Sequence, residues 1–573
     1  MNLRQYLDNQ VAEALAGVGA GDAPAVVRQA AKVEFGHYQA NGVMGAAKRL
    51  GRKPRELAAD ITQHLSLDQQ ASTEVAGPGF INITLKPGFV ADELAKVADD
   101  PRFGVAQQTA RKFVIDYSSP NLAKEMHIGH LRSTCIGDAA VKILTFLGHD
   151  IAKINHVGDW GAQFGSLLAY MDRLVQQGQT LRHELKDLER FYQAASKLFA
   201  EDEDFAAEAR QFVVRLQGGD EACLALWRTF IDESLTHCDA TYRALGVSLT
   251  RADARAESSY NDGLADAMKL LDDKGLLTES DGAKCVFLPE FADKDGEPAA
   301  IIVQKSDGGY PYMATDIVST RFRAEELQAD TALYFVDARQ SLHFKQLFAL
   351  CRAAGLLADQ DFRHIPFGAI LGKDGKPFKT REGNAVKLAD VIAEAKERAL
   401  RQVNEKNPDL SDAEKTEIAR VVGVGAIKYA ELSKNRTTDY VFDWDILLSF
   451  DGNTAPYLQY AYTRIKSIFR REQLDPASIN GDFVLDAAEE LSLAVKLLQF
   501  PETIEAVVED YQANILCNYL FELSGMFMTF YEACPVLKAE EPLRASRLRL
   551  CHLTAALLQQ GLALLGIETV EQM

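Results

Sequence analysis

Phe113-Val114-Ile115-Asp116-Tyr117-Ser118-Ser119-Pro120-Asn121-Leu122-Ala123-Lys124-Glu125-Met126-His127-Ile128-Gly129-His130 is the stretch whose reading decides the fold. A short apolar run ends at Asp116 and a Ser-Ser-Pro-Asn turn follows. Helical spacing then holds from about His130 to Leu147, before a second strand-like run from Ile151 to Val157. Strand, loop, helix and strand so close together read as a βαβ unit, with a right-handed crossover and a parallel sheet. The loop sits between the carboxyl end of a strand and the start of a helix, where parallel sheets bind nucleotides and free amides meet phosphate. His127 and His130 can donate hydrogen bonds to phosphate oxygens there, while Gly129 lacks the Cβ that would block a flat adenine.

Downstream, Leu, Ala, Glu and Gln at helical spacing predict a helical insertion over about 166–250. Its acid run, Glu201-Asp202-Glu203-Asp204, reads as a solvated helix start. Sheet signals return at Ala300-Ile301-Ile302-Val303, at Ala332-Leu333-Tyr334-Phe335-Val336 and at Ile365-Pro366-Phe367-Gly368-Ala369-Ile370, implying the second half of a doubly wound sheet. After them comes Leu371-Gly372-Lys373-Asp374-Gly375-Lys376-Pro377-Phe378-Lys379-Thr380-Arg381, a cationic loop on the same sheet edge as the histidines, where it can meet triphosphate charge. Upstream, residues 1–109 form an α+β leader with a strand at Phe80-Ile81-Asn82-Ile83-Thr84-Leu85. Beyond residue 385 helical runs dominate, with Asn453-Thr454-Ala455-Pro456 as a joint. The expected fold is a multidomain α/β chain. An α+β N-terminal domain (1–109) precedes a Rossmann-like parallel-sheet catalytic domain (110–385, insertion about 166–250), a helical connecting segment (386–455) and an all-α C-terminal domain (456–573).

A chain of 573 residues holds about three or four folding units. Its 47% hydrophobic and 25% charged composition is that of globular proteins and excludes fibrous or largely disordered classes. The net charge of -20 repels polyanions at long range, so any polyanion site must be locally basic. Two such patches stand out: Lys48, Arg49, Arg52, Lys53 and Arg55 in the leader, and Arg464, Lys466, Arg470 and Arg471 in the tail. Each also reads as a solvated helix face. The cysteines are scattered without a C-x-x-C pair and are expected as buried thiols, with no metal site. No secretory signal or membrane span is visible, so a cytoplasmic protein without membrane association is expected.

His127-Ile128-Gly129-His130 and Lys376-Pro377-Phe378-Lys379-Thr380 resemble the two signatures of class I aminoacyl-tRNA synthetases, with Pro-Phe replacing the usual Met-Ser in the second. Within that class the chain resembles the arginyl-tRNA synthetase family over essentially its whole length. The matching segments are Phe35-Gly36-His37-Tyr38-Gln39-Ala40-Asn41, Gly158-Asp159-Trp160-Gly161-Ala162-Gln163-Phe164-Gly165, Leu432-Ser433-Lys434-Asn435-Arg436, and the run from Asn453 to Arg464.

The resemblance implies ATP-dependent attachment of arginine to its tRNA through an arginyl-adenylate, with ATP and its accompanying Mg²⁺ as cofactors. It assigns His127, Gly129, His130, Lys376 and Lys379 to ATP, with Lys124 sharing the lysines' catalytic role. It assigns Asp116, Asn121, Tyr312, Asp316 and Gln340 to arginine, a planar cation best met by carboxylates and neutral acceptors. Phe80 and Asn82, on one strand face, are assigned to the tRNA D-loop as an exposed aromatic beside an amide, and the helical tail, with Arg464, to the anticodon side. A monomer is expected. Two rival readings are a smaller nucleotidyltransferase, disfavoured by the extra domains, and a catalytically dead RNA-binding relative, disfavoured by intact His127, His130, Asp116 and Asp316.

Overall fold

The computed structural model describes residues 1–292, 296, 298–378 and 386–573. The chain divides into two compact units, one made of Met1–Gln108 with Ser449–Met573, the other of Thr109–Leu448. The leader and the tail, read from sequence as separate domains, thus share a unit.

In the leader, α1 (Leu3–Gly17) is capped by Asn2, whose side chain accepts the Gln5 amide. There follow β1 (Val27–Gln29), β2 (Tyr38–Ala40), α2 (Val43–Leu50), α3 (Pro54–His64), β3 (Ala71–Ala76), β4 (Phe80–Leu85) and α4 (Pro87–Ala98). The strands form an antiparallel sheet in the order β1-β2-β4-β3. Ile81, Ile83 and Leu85 of β4 face the core, as alternation requires. On the other face the exposed pair expected from sequence is not found: Phe80 is half-buried, and Asn82, 6% exposed, accepts from Gln39 Nε2 at 2.8 Å. Gln39 and Glu74 flank Asn82 in register because β4 is an inner strand, and inner-strand neighbours cover a short side chain.

The second unit opens with β5 (Lys112–Asp116), α5 (Gly129–Leu147) and β6 (Asp150–Val157), the βαβ unit. The insertion is α6 (Ala162–Gln176), the short α7 (Leu181–Glu184), α8 (Leu188–Glu201), α9 (Glu203–Gln217) and α10 (Glu221–Leu245). Its acid run is a helix start: Asp202 caps α9 by accepting the Phe205 amide. Next come β7 (Ala254–Ala256), α11 (Leu264–Asp273), β8 (Thr278–Ser280), β9 (Ala283–Ala292), β10 (Pro298–Gln304), α12 (Tyr312–Arg321), β11 (Thr331–Tyr334), α13 (Ser341–Ala353), β12 (Asp361–His364) and β13 (Ile370–Leu371). The unit ends with α14 (Leu388–Lys406), α15 (Asp412–Leu432), β14 (Tyr440–Val441) and α16 (Trp444–Leu447).

The parallel sheet has the order β12-β11-β5-β6-β7. Strand order reverses between β5 and β11, which opens a crevice at their carboxyl ends. Two sequence expectations are corrected here. Ala300–Val303 lies in β10, which pairs antiparallel with β9 outside the parallel sheet. Its one-sided burial, with Ile301 and Val303 inside and Ile302 46% exposed, is the mark of an antiparallel strand, whereas β11 is buried throughout. The last parallel strand is Asp361–His364 rather than Ile365–Ile370, its ladder to β11 closing where the Ile365 amide donates to Tyr334 O at 2.8 Å. Ile370 and Leu371 pair instead with Tyr440 and Val441.

The tail comprises α17 (Ala455–Arg471), α18 (Ala488–Leu498), α19 (Phe500–Asp510), α20 (Ala513–Ala533) and α21 (Leu543–Leu564). Thr454, in the expected joint, caps α17 through the Tyr457 amide. Leader and tail meet at Glu502, 4% exposed, which accepts from the Arg4 amide at 3.0 Å, Gln29 Nε2 at 2.5 Å and the Tyr38 hydroxyl at 3.1 Å. The eight cysteines are free and buried. Among the described residues no helix is long and apolar enough to cross a membrane.

Candidate active site

The crevice at the carboxyl ends of β5 and β11 holds a cavity of about 540 Å³. Asp116, Asn121, Tyr312, Asp316 and Gln340, drawn from sequence positions more than two hundred residues apart, all line it. Asp116 ends β5, Asn121 follows the Ser-Ser-Pro turn, Tyr312 and Asp316 lie one turn apart on α12, and Gln340 precedes α13. Asp116 is buried; Ser119 Oγ donates to its Oδ1 at 2.9 Å, and the fully buried Arg323 guanidinium pairs with Oδ2. Asp316 Oδ2 lies 2.7 Å from His343 Nε2. Tyr312 is 70% exposed.

Sequence reasoning missed Glu257, His156, Arg323 and His343, which also line the cavity. Glu257 is placed by the Gly-Asp-Trp-Gly turn after β6. Asp159 there is fully buried and accepts the Ser258 amide at 2.9 Å and its hydroxyl at 2.5 Å, turning the chain beside β7 inward. Burial, helped by the nearby carboxylates of Asp316 and Asp159, pushes the Glu257 carboxyl up to about 7. His343, three residues after Gln340 in a helical stretch, is the one of these that helical spacing could have found.

At the start of α5, the His127 and His130 rings lie 4.1 Å apart. His127 Nδ1 accepts the Gly129 amide at 3.0 Å, and His130 Nδ1 accepts the His127 amide at 3.1 Å. The His127 ring therefore carries its proton on Nε2, whereas His130 Nδ1 also lies 3.2 Å from the His127 carbonyl. Burial lowers the pKa of both, aided by Lys124 beside His127 and by His127 beside His130, the latter falling to about 3, so both are neutral donors near pH 7. A Cβ on Gly129 would come within 2.7 Å of His127 Cε1, so the missing side chain makes room for the imidazole.

Lys124 Nζ stands 4.3 Å from the Tyr192 ring centroid. In the cationic loop, Lys373 pairs with Asp443 at 2.9 Å, and the Lys376 side chain is exposed. Lys379, with Thr380 and Arg381, lies outside the described residues. In the other unit, the leader patch is largely matched by acids: Arg49 with Asp22, Arg52 with Asp60 and Lys53 with Glu56. In the tail, Arg464 is exposed and 6.0 Å from the Tyr531 ring, while Lys466 pairs with Glu571 at 3.4 Å.

Comparison with known proteins adds three family matches: a class I (R) tRNA synthetase catalytic domain over residues 94–444, a DALR anticodon binding domain over 458–573, and an arginyl tRNA synthetase N terminal domain over 2–85. The chain is 53% identical to the arginine–tRNA ligase of Marinomonas sp. (strain MWYL1) over 577 aligned residues, and 53% identical to that of Hahella chejuensis over 578, with all of each chain covered. The structure is similar to arginyl-tRNA synthetase from Plasmodium falciparum (TM-score 0.86, 27% identity, 100% and 99% of the chains covered). It is also similar to that from Thermus thermophilus (TM-score 0.82, 26% identity, 100% of both chains). Full-length identity of this order, with matching models in the same order along the chain, shows that the chain belongs to the arginyl-tRNA synthetase family, class I ligases that use ATP to attach arginine to tRNA.

Proposed function

We propose that the cavity between β5 and β11 binds arginine, with Asp116, Asn121, Tyr312, Asp316 and Gln340 as its ligands, and that the start of α5 binds ATP through His127, Gly129 and His130. The convergence of the five cavity residues, singled out by the family resemblance, carries this reading. Arginine's carboxylate attacks the α-phosphate, pyrophosphate leaves, and a terminal ribose hydroxyl of the tRNA then attacks the activated carbonyl and releases AMP. The neutral imidazoles of His127 and His130 donate to phosphate oxygens, while Lys124, Lys376 and Lys379 supply positive charge as pyrophosphate departs. Mg²⁺ would arrive with ATP and offset its phosphate charge. Phe80 and Asn82 serve tRNA selection, and Arg464, exposed in the tail, meets tRNA backbone charge. The enzyme acts as a cytoplasmic monomer.

ATP–pyrophosphate exchange across the amino acids, with tRNA present, tests the assignment. Arginine is activated and lysine is disfavoured by roughly 10⁴, because a single ammonium cannot meet at once the several acceptors that a guanidinium fork reaches. Comparable exchange with lysine overturns the arginine site. His127→Ala lowers exchange by about 10² with tRNA affinity retained, and an equal loss of tRNA binding overturns its phosphate role.

A further inference from the structure

Glu125, inside the motif stretch, accepts at Oε1 from Lys387 Nζ at 3.2 Å, and the same ammonium reaches Asp187 Oδ1 at 3.1 Å. These three residues come from three separate parts of the second unit. Glu125 precedes His127, Lys387 opens α14 just beyond the cationic loop, and Asp187 caps α8 of the insertion by accepting the Arg190 amide at 3.0 Å. The main chain is stitched at the same place. His127 and Lys387 form an antiparallel bridge, the Ile128 amide donates to Val386 O at 2.9 Å, and the Leu388 amide donates to Met126 O at 2.9 Å. Only 14% of the Glu125 side chain and 29% of the Lys387 side chain are exposed.

We propose that Lys387 is a positioning residue for arginine activation: its ammonium, shared by Glu125 and Asp187, fixes the entry of the His127–His130 segment against the chain leaving the lysine loop and against α8. This rests on the assignment of His127 and His130 to ATP. Partly exposed ion pairs contribute little to stability, so the role of this one is geometric. An ammonium held by two carboxylates from different elements has one place to sit. The segment that carries the phosphate donors and the start of α14 are thereby kept in one register. Burial alone would lower the Lys387 pKa, but hydrogen bonds and charge from Asp187 and Glu125 outweigh it and raise the value, so the ammonium persists across the working pH range.

The full-length enzyme is assayed by pyrophosphate exchange and thermal melting as Lys387→Ala, Lys387→Arg, Glu125→Gln and the Lys387→Ala/Glu125→Gln double variant, with His127→Ala as reference. Lys387→Ala lowers kcat about tenfold, a displacement effect, with KM for arginine and Tm nearly unchanged. Lys387→Arg restores most of the rate, and the double variant loses no more than the worse single one, as members of one linkage do. If Lys387→Ala keeps its kcat while His127→Ala loses activity, the positioning role is overturned and the ATP site stands. If both keep it, the ATP site itself is misassigned. A fall in kcat that only follows the loss of folded protein and is not restored by arginine makes Lys387 merely structural and also overturns the proposal.

Discussion

Ser118 and Ser119 follow β5 with φ of 73° and 50°, the left-handed region that residues other than glycine occupy at a cost of about 1–3 kcal/mol each. Hydrogen bonds over-determine them. The Ser118 amide donates to Ser133 Oγ at 2.9 Å, its hydroxyl pairs with the Tyr242 hydroxyl at 2.8 Å, and the Ser119 amide donates to Asn155 Oδ1 at 2.9 Å. The outcome is that Ser119 Oγ points at Asp116 and Asn121 turns into the cavity. Across that cavity, Glu257 gives a pH prediction. Below about 7 its carboxyl is protonated and contributes no charge; above it the carboxylate attracts a guanidinium, so KM for arginine falls as the pH rises through 7. In Glu257→Gln this component disappears and KM is raised at pH 8. Steady-state exchange kinetics against pH measure both, and parallel profiles for the two proteins would remove Glu257 from arginine binding. Asp116 and the histidine motif were legible in sequence because strand, turn and motif are local. Glu257 was not, since its place depends on Asp159 holding Ser258 from ninety-nine positions away.

Among the elements, α5 is tied to α15 and β14 by a buried polar cluster. Arg132 Nε lies 3.3 Å from Glu431 Oε2, the two side chains are 1% and 0% exposed, and the Tyr440 hydroxyl donates to Glu431 Oε1. Arg132 also donates to Thr438 O at 2.8 Å. Burial pushes the Glu431 carboxyl up, against the pull of Arg132. Removing one partner of a buried pair leaves the other uncompensated, so Arg132→Ala destabilises the second unit by about 3–5 kcal/mol in equilibrium unfolding; a loss under 1 kcal/mol would show that water reaches the pair. No sequence pattern announced this cluster, because its members lie far apart along the chain. The elements themselves were largely legible from periodicity, and β10 went to the wrong sheet because an apolar run alone does not reveal which sheet it joins.

At the scale of the whole molecule, a net charge of -20 coexists with a polyanionic substrate, which leaves tRNA contact to locally basic groups. The unit formed by leader and tail has its own pH dependence. Burial raises the Glu502 carboxyl above its ordinary 4.5, so the folded unit holds a proton that the unfolded chain releases. That contribution is complete below pH 4.5 and is lost as the pH climbs through the raised value. The difference in Tm between wild type and Glu502→Gln therefore moves in the variant's favour from about pH 4.5 to neutrality, as scanning calorimetry would register; a constant difference would mean that Glu502 is solvated in the folded unit. The discontinuity of this unit also sets an order of events on the ribosome. Thr109–Leu448 is contiguous and can complete its fold while the remainder is still being translated, as domains generally do. The leader is made first, yet Gln29 and Tyr38 wait for a carboxylate more than four hundred codons downstream, so the oldest part of the nascent polypeptide is among the last to be satisfied.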